Sequence, residues 1–260
     1  MTTTRQFSLA LDSMVELKQQ VTAPLSTPVP AVPSLSRVLA EIGSLPREAL
    51  FLGVASDGLP VLLNLHDPLP GPLLVVGDAG AGKTAFLQTL ARSLLQSQHP
   101  DAVRLGVITN HPDEWVEMNP ALQRVPIISA SENTARDFIN FLTGWAHTNK
   151  KPNQSILLLI DDLEAVAKLE SDTLQNLRWL LLRGPARRVW PIITLNAERY
   201  GQVLSWIPMF RTRIFGRIAK EHVASALGSD PASALDRLEA GIQFSLRENG
   251  KWLKFWLPAV

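Results

Sequence analysis

The sequence predicts an α/β domain in which a mostly parallel central sheet is flanked by helices. Three observations support this prediction. Apolar strands alternate with helical segments through the middle of the chain, a glycine-rich loop joins one of these strands to a helix, and a later strand ends in two aspartates. Alternation of this kind is typical of parallel sheets, because each helix returns the chain to the start of the next strand.

The predicted elements follow from apolar periodicity and turn residues. The parallel strands are "PLLVV", "VRLGVIT", "SILLLID" and "VWPIITLN", and the helices are "KTAFLQTLARSLLQSQ", "ENTARDFINFLTGWAHTN" and "SDTLQNLRWLLLR". Before them, a short helix ends at Gly43, and two apolar runs flank Asp57-Gly58, which indicates an N-terminal β-hairpin. After them, "GIQFSLRENGKWLKFWLPAV" predicts two antiparallel strands that turn at residues 248–250.

The chain is predicted to contain one domain preceded by an arm. Residues 1–34 include four prolines within the 13 residues of "TAPLSTPVPAVPS", a composition that disfavours helix and sheet. We therefore expect a flexible N-terminal arm and Pro-rich linker over residues 1–34, and one folded domain over residues 35–260. The alternative is that the arm docks onto a larger assembly.

Composition excludes several classes of function. The 260 residues include no cysteine, so disulfides, thiolate metal sites and a cysteine nucleophile are excluded. The formal net charge of +1 gives no broad basic field for nucleic acid, so any such contact must be local. No apolar run approaches the roughly 20 residues that span a bilayer. We expect a cytoplasmic protein with no membrane insertion.

The stretch "GDAGAGKT", residues 77–84, fits the phosphate-loop pattern G-x-x-x-x-G-K-[ST] and lies between an apolar strand and a helix. Backbone N–H groups of such a loop surround phosphate oxygens, and the helix N-terminus adds partial positive charge. Lys83 is predicted to reach the β- and γ-phosphates of ATP, and the Thr84 hydroxyl to bind Mg²⁺. The predicted cofactor-binding residues are Gly77, Asp78, Ala79, Gly80, Ala81, Gly82, Lys83 and Thr84.

The strand "ILLLID" supplies the carboxylate that a phosphate loop needs on the far side of the metal. Asp161 is predicted to hold Mg²⁺ through water, and Asp162 to orient the attacking water as a base. The alternative for Asp162 is a helix cap. Asn196, at the end of "IITLN", is predicted to sense the γ-phosphate or position water, with a local turn as the alternative. Glu164 is expected to be solvent-exposed.

Together these segments resemble the FtsK/HerA-type P-loop ATPases, RecA-like motors that form rings and pump DNA. The resemblance covers residues 47–260 and includes the hairpin, the phosphate loop, the segment before the acidic strand, the sensor strand and the terminal strands. It implies a RecA-like fold, ATP and Mg²⁺ as cofactors, and a homo-oligomeric ring, with a hexamer as the expected form. Double-stranded DNA is the partner that the resemblance implies.

The departures from this family concern residues near the chemistry. The usual Asp-Glu pair is Asp161-Asp162 here, and Asn196 replaces the sensor glutamine. Pro185 occupies the place where the family commonly has an arginine. Three nearby arginines are therefore candidates to act on a neighbouring subunit, and the sequence does not choose among Arg183, Arg187 and Arg188.

Three functions remain open from the sequence. The first is an ATP-hydrolysing ring motor that moves nucleic acid or polypeptide. The second is a nucleotide-gated interaction subunit that binds ATP and turns it over slowly, which the shorter Asp162 favours. The third is an AAA+ loader-like ATPase of the DnaA/DnaC kind, although such proteins place a helical lid after the sensor strand, where this chain shows a strand pattern.

Overall fold

One open sheet organises the part of the chain that the structure describes. The structure is a computed structural model, and it describes residues 33–116, 125–130, 133–149, 154–248 and 250–259. The predictions for residues 1–32 lie outside this part. The strands are β1 (Ala49–Ala55), β2 (Pro60–Asn64), β3 (Leu73–Gly77), β4 (Val103–Thr109), β5 (Ile127–Ser129), β6 (Ser155–Asp161), β7 (Val189–Asn196), β8 (Thr212–Phe215), β9 (Gln243–Glu248) and β10 (Lys251–Trp256).

The order across the sheet is β2-β1-β10-β9-β8-β3-β7-β6-β4-β5. The six strands from β8 to β5 in this order pair with one another in parallel. The remaining four pair antiparallel, so the predicted N-terminal hairpin and C-terminal strands extend the same sheet. The predicted α/β fold, with a parallel central sheet and antiparallel additions, is confirmed.

Seven α-helices accompany these strands among the described residues. They are α1 (Leu35–Ile42), α2 (Lys83–Ser97), α3 (Asp113–Val116), α4 (Asn133–Thr148), α5 (Leu163–Val166), α6 (Ser171–Arg183) and α7 (Glu221–Ala226). The 3₁₀ turns are Pro185–Arg187, Ala197–Val203, Ile207–Met209, Pro231–Ser233 and Leu235–Arg237. None of the helices in this part of the chain is long and apolar enough to cross a membrane.

The central strands are buried on both faces. In β3, Leu74 and Val76 pack into one apolar cluster, and Leu73 and Val75 pack into another on the opposite face. The first cluster includes the buried faces of α4 and α6, and the second includes that of α2. This arrangement explains why "PLLVV" and "ILLLI" are continuous apolar runs and do not alternate with polar residues.

The C-terminus returns to the start of the described domain. Ala259 N–H donates to the Pro33 carbonyl at 2.9 Å, and Leu35 N–H donates to the Ala259 carbonyl at 2.8 Å. The Ser34 side chain caps α1 by accepting from Arg37 N–H. Two residues of the predicted arm thus contact the folded domain, while the division at residue 34 stays a prediction.

Two strands of the structure lack a clear sequence signal. β5 has only three residues, all half-buried. β8 reads "TRIF", in which Thr212 and Arg213 break the apolar pattern. The Arg213 guanidinium lies among backbone carbonyls and donates to Leu227 O at 2.7 Å and Ile207 O at 3.2 Å. These hydrogen bonds allow an arginine in a central strand, and periodicity alone cannot reveal them.

Candidate nucleotide-binding site

The phosphate loop has the backbone conformation that its glycines predict. β3 ends at Gly77, α2 begins at Lys83, and the loop between them contains two residues with positive φ: Gly80 at 74° and Gly82 at 86°. A Cβ atom on Gly82 would lie 2.4 Å from the carbonyl oxygen of Gly241, so the site admits no side chain. At Gly80 the space around a Cβ position is open. The loop is therefore packed on one side and accessible on the other.

The segment that follows β8 holds the loop in place. Asp78 N–H donates to the Arg217 carbonyl at 2.9 Å, and the Asp78 carboxylate accepts from Ala219 N–H at 2.8 Å. Gly216 N–H donates to the Val76 carbonyl at 2.7 Å. The phosphate-loop pattern leaves position 78 unspecified, so the sequence could not show that its side chain anchors the loop.

Lys83 lies across the loop that it follows. Its Nζ donates to the carbonyl of Gly77 at 3.0 Å and to that of Asp78 at 2.8 Å. Burial lowers the pKa of the Lys83 ammonium, and the carboxylates of Asp161 and Asp162 act in the opposite direction. An ammonium group held at the loop suits the binding of an anion such as a phosphate.

The loop and the acidic strand meet at one hydrogen bond. Thr84 Oγ1 donates to Asp161 Oδ2 at 2.9 Å, which joins the first turn of α2 to the end of β6. A hydroxyl and a carboxylate are oxygen ligands of the kind that Mg²⁺ prefers. The described residues contain no group of three or more His, Asp or Glu side chains that could hold a metal ion. Two protein oxygens still fit Mg²⁺, since nucleotide sites complete its shell with phosphates and water.

Thr194 on β7 is a site residue that the sequence analysis missed. Its Oγ1 donates to Asp161 Oδ1 at 2.8 Å and accepts from the Asp162 N–H at 2.7 Å. The side chain is buried, with 1% of its surface exposed. The available signal was its position: it is the only hydroxyl in the apolar strand "VWPIITLN", two residues before Asn196.

Asp162 has an unusual backbone conformation. Its φ of 96° and ψ of 97° lie outside the regions that non-glycine residues normally adopt. It precedes α5, but its side chain makes no capping hydrogen bond, so the helix-cap alternative gains no support. Burial, together with the neighbouring charge of Asp161, raises the pKa of the Asp162 carboxyl. Backbone strain of this kind often accompanies functional sites.

Asn196 lies beside the phosphate loop. β7 pairs with β3 in parallel so that Asn196 is in register with Gly77. Its side-chain oxygen accepts from Glu198 N–H at 3.2 Å and thereby caps the turn Ala197–Val203. The structure brings this amide to the correct edge of the sheet, in a contact that fits the local-turn alternative. Its role as a sensor stays a prediction.

Solved structures share the fold of this chain over most of its length. The cytoplasmic domain of the type VII secretion ATPase EccC from Thermomonospora curvata aligns at a TM-score of 0.67 and 17% identity, covering 92% of this chain and 29% of that chain. ATPases 2 and 3 of EssC from Geobacillus thermodenitrificans align at 0.63 and 15%, covering 91% and 48% respectively. The pCW3 conjugation coupling protein TcpA aligns at 0.63 and 15%, covering 88% and 70%.

The sequence model of the FtsK/SpoIIIE family matches residues 49–136, from β1 through the phosphate loop into α4. The chain has the fold of an FtsK-like P-loop ATPase domain. Among curated protein sequences, none matches this one. The FtsK-like domain spans less than half the length of the EccC and EssC structures, and its similarity to them concerns the fold alone.

The three candidate arginines of the FtsK-like domain lie away from its own phosphate loop. They precede β7, whereas the loop follows the carboxyl end of the parallel strand β3. Arg183 and Arg187 are exposed. Arg188 is mostly buried, forms an ion pair with Glu48 and donates to the Leu65 carbonyl at 3.1 Å. Arg188 is thus engaged within its own chain.

Another arginine lies closer to the acidic pair. Burial and Asp161 raise the pKa of the Asp162 carboxyl, and the positive charge of Arg199 opposes them. Burial lowers the pKa of the Lys83 ammonium, and Arg199 acts in the same direction. Arg199 is exposed on the turn Ala197–Val203 that follows Asn196. Sequence reasoning missed it, although its position three residues after the predicted sensor was a usable signal.

The prediction for Glu164 is wrong. The side chain is buried, with 4% of its surface exposed, because α5 packs against β7 and the turn Ala197–Val203. Neither carboxylate oxygen has a hydrogen-bond partner within the described part of the chain. Neighbouring elements cover one side of this short helix. Because α5 has only four residues, its sequence pattern is too short to show which of its side chains are buried.

Proposed function

We propose that the FtsK-like domain binds ATP with Mg²⁺, hydrolyses it, and works as a motor unit within a homo-oligomeric ring. The observation that carries the proposal is the 2.9 Å hydrogen bond between Thr84 Oγ1 and Asp161 Oδ2. It places the hydroxyl of the phosphate loop and the carboxylate of the acidic strand where one small cation can contact both. The fold class and the FtsK/SpoIIIE match support the same proposal.

Each residue of the site has a proposed task. The N–H groups of Ala79, Gly80 and Gly82 and the Lys83 ammonium bind the phosphates. Thr84 and Asp161 would hold Mg²⁺, which neutralises phosphate charge when bound. Asp162 orients water for attack on the γ-phosphate. Asn196 contacts the γ-phosphate or that water through its side-chain NH₂ group, while its side-chain oxygen accepts from Glu198 N–H.

The task of Asp162 is tested by a change that keeps its shape. In Asp162→Asn, we expect single-turnover ATP hydrolysis to slow by about 10²–10⁴-fold, because the amide cannot accept the proton of the attacking water. ATP affinity is expected to stay close to that of the wild type. The matched control is Asp172→Asn, at an exposed position on α6. An unchanged single-turnover rate in Asp162→Asn would show that another group positions the water.

We propose the ring and its substrate from two observations: the solved structures that share the fold, and the arginines exposed on the domain. A secretion ATPase and a conjugation coupling protein share the fold, which suggests translocation of polypeptide or DNA. A neighbouring subunit would supply an arginine, and Arg183 and Arg187 are the exposed candidates. We propose a hexamer acting in the cytoplasm, on double-stranded DNA in the first instance, with residues 1–34 contacting a larger assembly.

The DNA substrate is tested by the ATPase rate with and without double-stranded DNA. If the domain is a DNA motor, we expect DNA to raise the steady-state rate at least severalfold, and the stimulation to decline as salt screens the phosphate contacts. Single-stranded DNA at equal nucleotide concentration is the control. A rate that is insensitive to duplex DNA at low salt would favour a polypeptide substrate or none.

A second candidate is a nucleotide-gated interaction subunit that hydrolyses ATP slowly. It is favoured by Asp162, which is one methylene shorter than the family's glutamate and lies on an unusual backbone. The two candidates differ in the wild-type single-turnover rate, which is low for the switch and high for the motor. The AAA+ alternative is not proposed, because the chain after β7 adds β8, β9 and β10 to the sheet.

A further inference from the structure

We propose that Thr194 is a positioning residue that orients the Asp161 carboxylate toward the metal and holds the backbone of Asp162. The inference rests on the proposed function, because it deepens the account of the same Mg²⁺–nucleotide site. It assigns a task to a β7 residue that lies outside the phosphate loop and the acidic pair.

The hydroxyl of Thr194 joins the two aspartates. It donates to Asp161 Oδ1 and accepts from the Asp162 N–H, at 2.8 and 2.7 Å. The other oxygen of Asp161 accepts from Thr84 Oγ1 at 2.9 Å. Each oxygen of the Asp161 carboxylate therefore has one hydroxyl donor, and together they define the plane of the group.

The position of Thr194 follows from strand register. β6 and β7 are parallel neighbours, with Ile160 opposite Ile193, so the next residue on each strand is Asp161 and Thr194. Thr194 is 1% exposed and Asp161 lies at the partly exposed end of its strand. A buried hydroxyl needs partners within the protein, and here both are groups of the acidic pair.

The second hydrogen bond concerns the point where the chain leaves the sheet. β6 ends at Asp161, and Asp162 adopts a φ of 96° before α5 begins. A conformation this unfavourable persists only where surrounding contacts hold it. Because Asp162 lies beyond the end of β6, its N–H makes no hydrogen bond of the sheet and donates instead to the Thr194 hydroxyl. One side chain thus positions both the metal-facing carboxylate and the residue proposed to orient water.

The variant Thr194→Val separates the hydrogen bonds of the Thr194 hydroxyl from the contribution of the side chain to packing. Thr194→Val keeps the β-branched shape but removes both the donor to Asp161 and the acceptor for Asp162 N–H. Partners that orient metal ligands in this way typically change metal affinity 10–100-fold when removed. We expect the Mg²⁺ concentration for half-maximal binding of a fluorescent ATP analogue to rise by about 10–100-fold.

Two variants control the measurement. Thr194→Ser retains the hydroxyl, and we expect it to restore the wild-type Mg²⁺ dependence. Thr143→Val removes another buried hydroxyl, which donates to the Ile139 carbonyl within α4, and we expect its Mg²⁺ dependence to match the wild type. Binding of the analogue in excess EDTA is expected to be equal in all of these proteins, because the proposed effect acts through the metal ligand.

The outcomes are distinguishable. If the wild type binds the analogue with Mg²⁺ dependence and Thr194→Val gives the same curve, the inference fails while the proposed function stands. If the wild type shows no Mg²⁺-dependent binding, the proposed function fails and the inference with it. Should Thr194→Val lose its fold, by circular dichroism, Thr194→Cys replaces it. Its weakly bonding thiol is expected to shift the curve in the same direction, and an unshifted curve would overturn the inference.

Discussion

Lys83→Ala is expected to remove ATP binding at concentrations where the wild type is saturated. The Lys83 ammonium is held at the phosphate loop by the carbonyls of Gly77 and Asp78, in a partly buried position. Hydrogen bonds to charged groups contribute about 1.5–3 kcal/mol each, so losing the contacts to two phosphates weakens binding by about 100-fold or more. Equilibrium binding of a fluorescent ATP analogue measures the change.

The control for this variant is Lys254→Ala, which removes an exposed lysine on β10, a strand that pairs with β1 and β9. Its ATP affinity is expected to equal that of the wild type. Circular dichroism verifies that both variants are folded. If folded Lys83→Ala binds ATP as tightly as the wild type, the nucleotide is bound elsewhere, and the central claim about residues 77–84 is wrong.

Arg188→Met is expected to lower the free energy of unfolding by about 3–5 kcal/mol, because the buried Glu48 carboxylate loses its guanidinium partner and keeps only the exposed His66 imidazole, 3.5 Å away. The two side chains are 12% and 5% exposed. Their ion pair ties the start of β7 to the residue before β1, and the Arg188 guanidinium also donates to the Leu65 carbonyl. Urea denaturation measures the loss.

Two further variants make this result specific. Glu48→Gln in the Arg188→Met background removes the charge left behind, and part of the lost stability is expected to return. Arg187→Ala changes an exposed neighbour, and its stability is expected to lie within about 0.5 kcal/mol of the wild type. A wild-type unfolding midpoint in Arg188→Met would show that the ion pair contributes nothing, and would return Arg188 to the candidates for action on a neighbouring subunit.

The predictable part of the site is local in sequence. The phosphate loop needs glycines at positions 80 and 82 for positive φ, and its strand-loop-helix context lies within one continuous segment, residues 73–97. The acidic residue was predictable because a carboxylate directly after five buried apolar residues is costly without a ligand or partner. The structure places Asp161 against Thr84, as the motif requires.

The residues that sequence reasoning missed depend on neighbours distant in the chain. Thr194 contacts Asp161 across 33 positions, and Asp78 is anchored by Ala219, 141 positions later. Glu164 is buried because other elements cover α5, and Arg188 is engaged because Glu48 reaches it from the N-terminal side. The identity of a threonine, a glutamate or an arginine does not by itself show whether its side chain is solvent-exposed or paired with a distant residue.

The sequence by itself determined the fold class of this FtsK-like domain, the place of the glycine-rich loop at residues 77–84 and the aspartate that meets it, Asp161. Apolar periodicity and glycine positions act over a few residues, so they can be read directly from the chain. Only the tertiary structure showed which contacts hold the site and the surrounding domain in place. They are the hydrogen bond of Thr194 to Asp161, that of Ala219 N–H to Asp78, and the ion pair of Arg188 with Glu48. These contacts depend on which strands lie side by side, and strand order is set by the packing of the whole sheet.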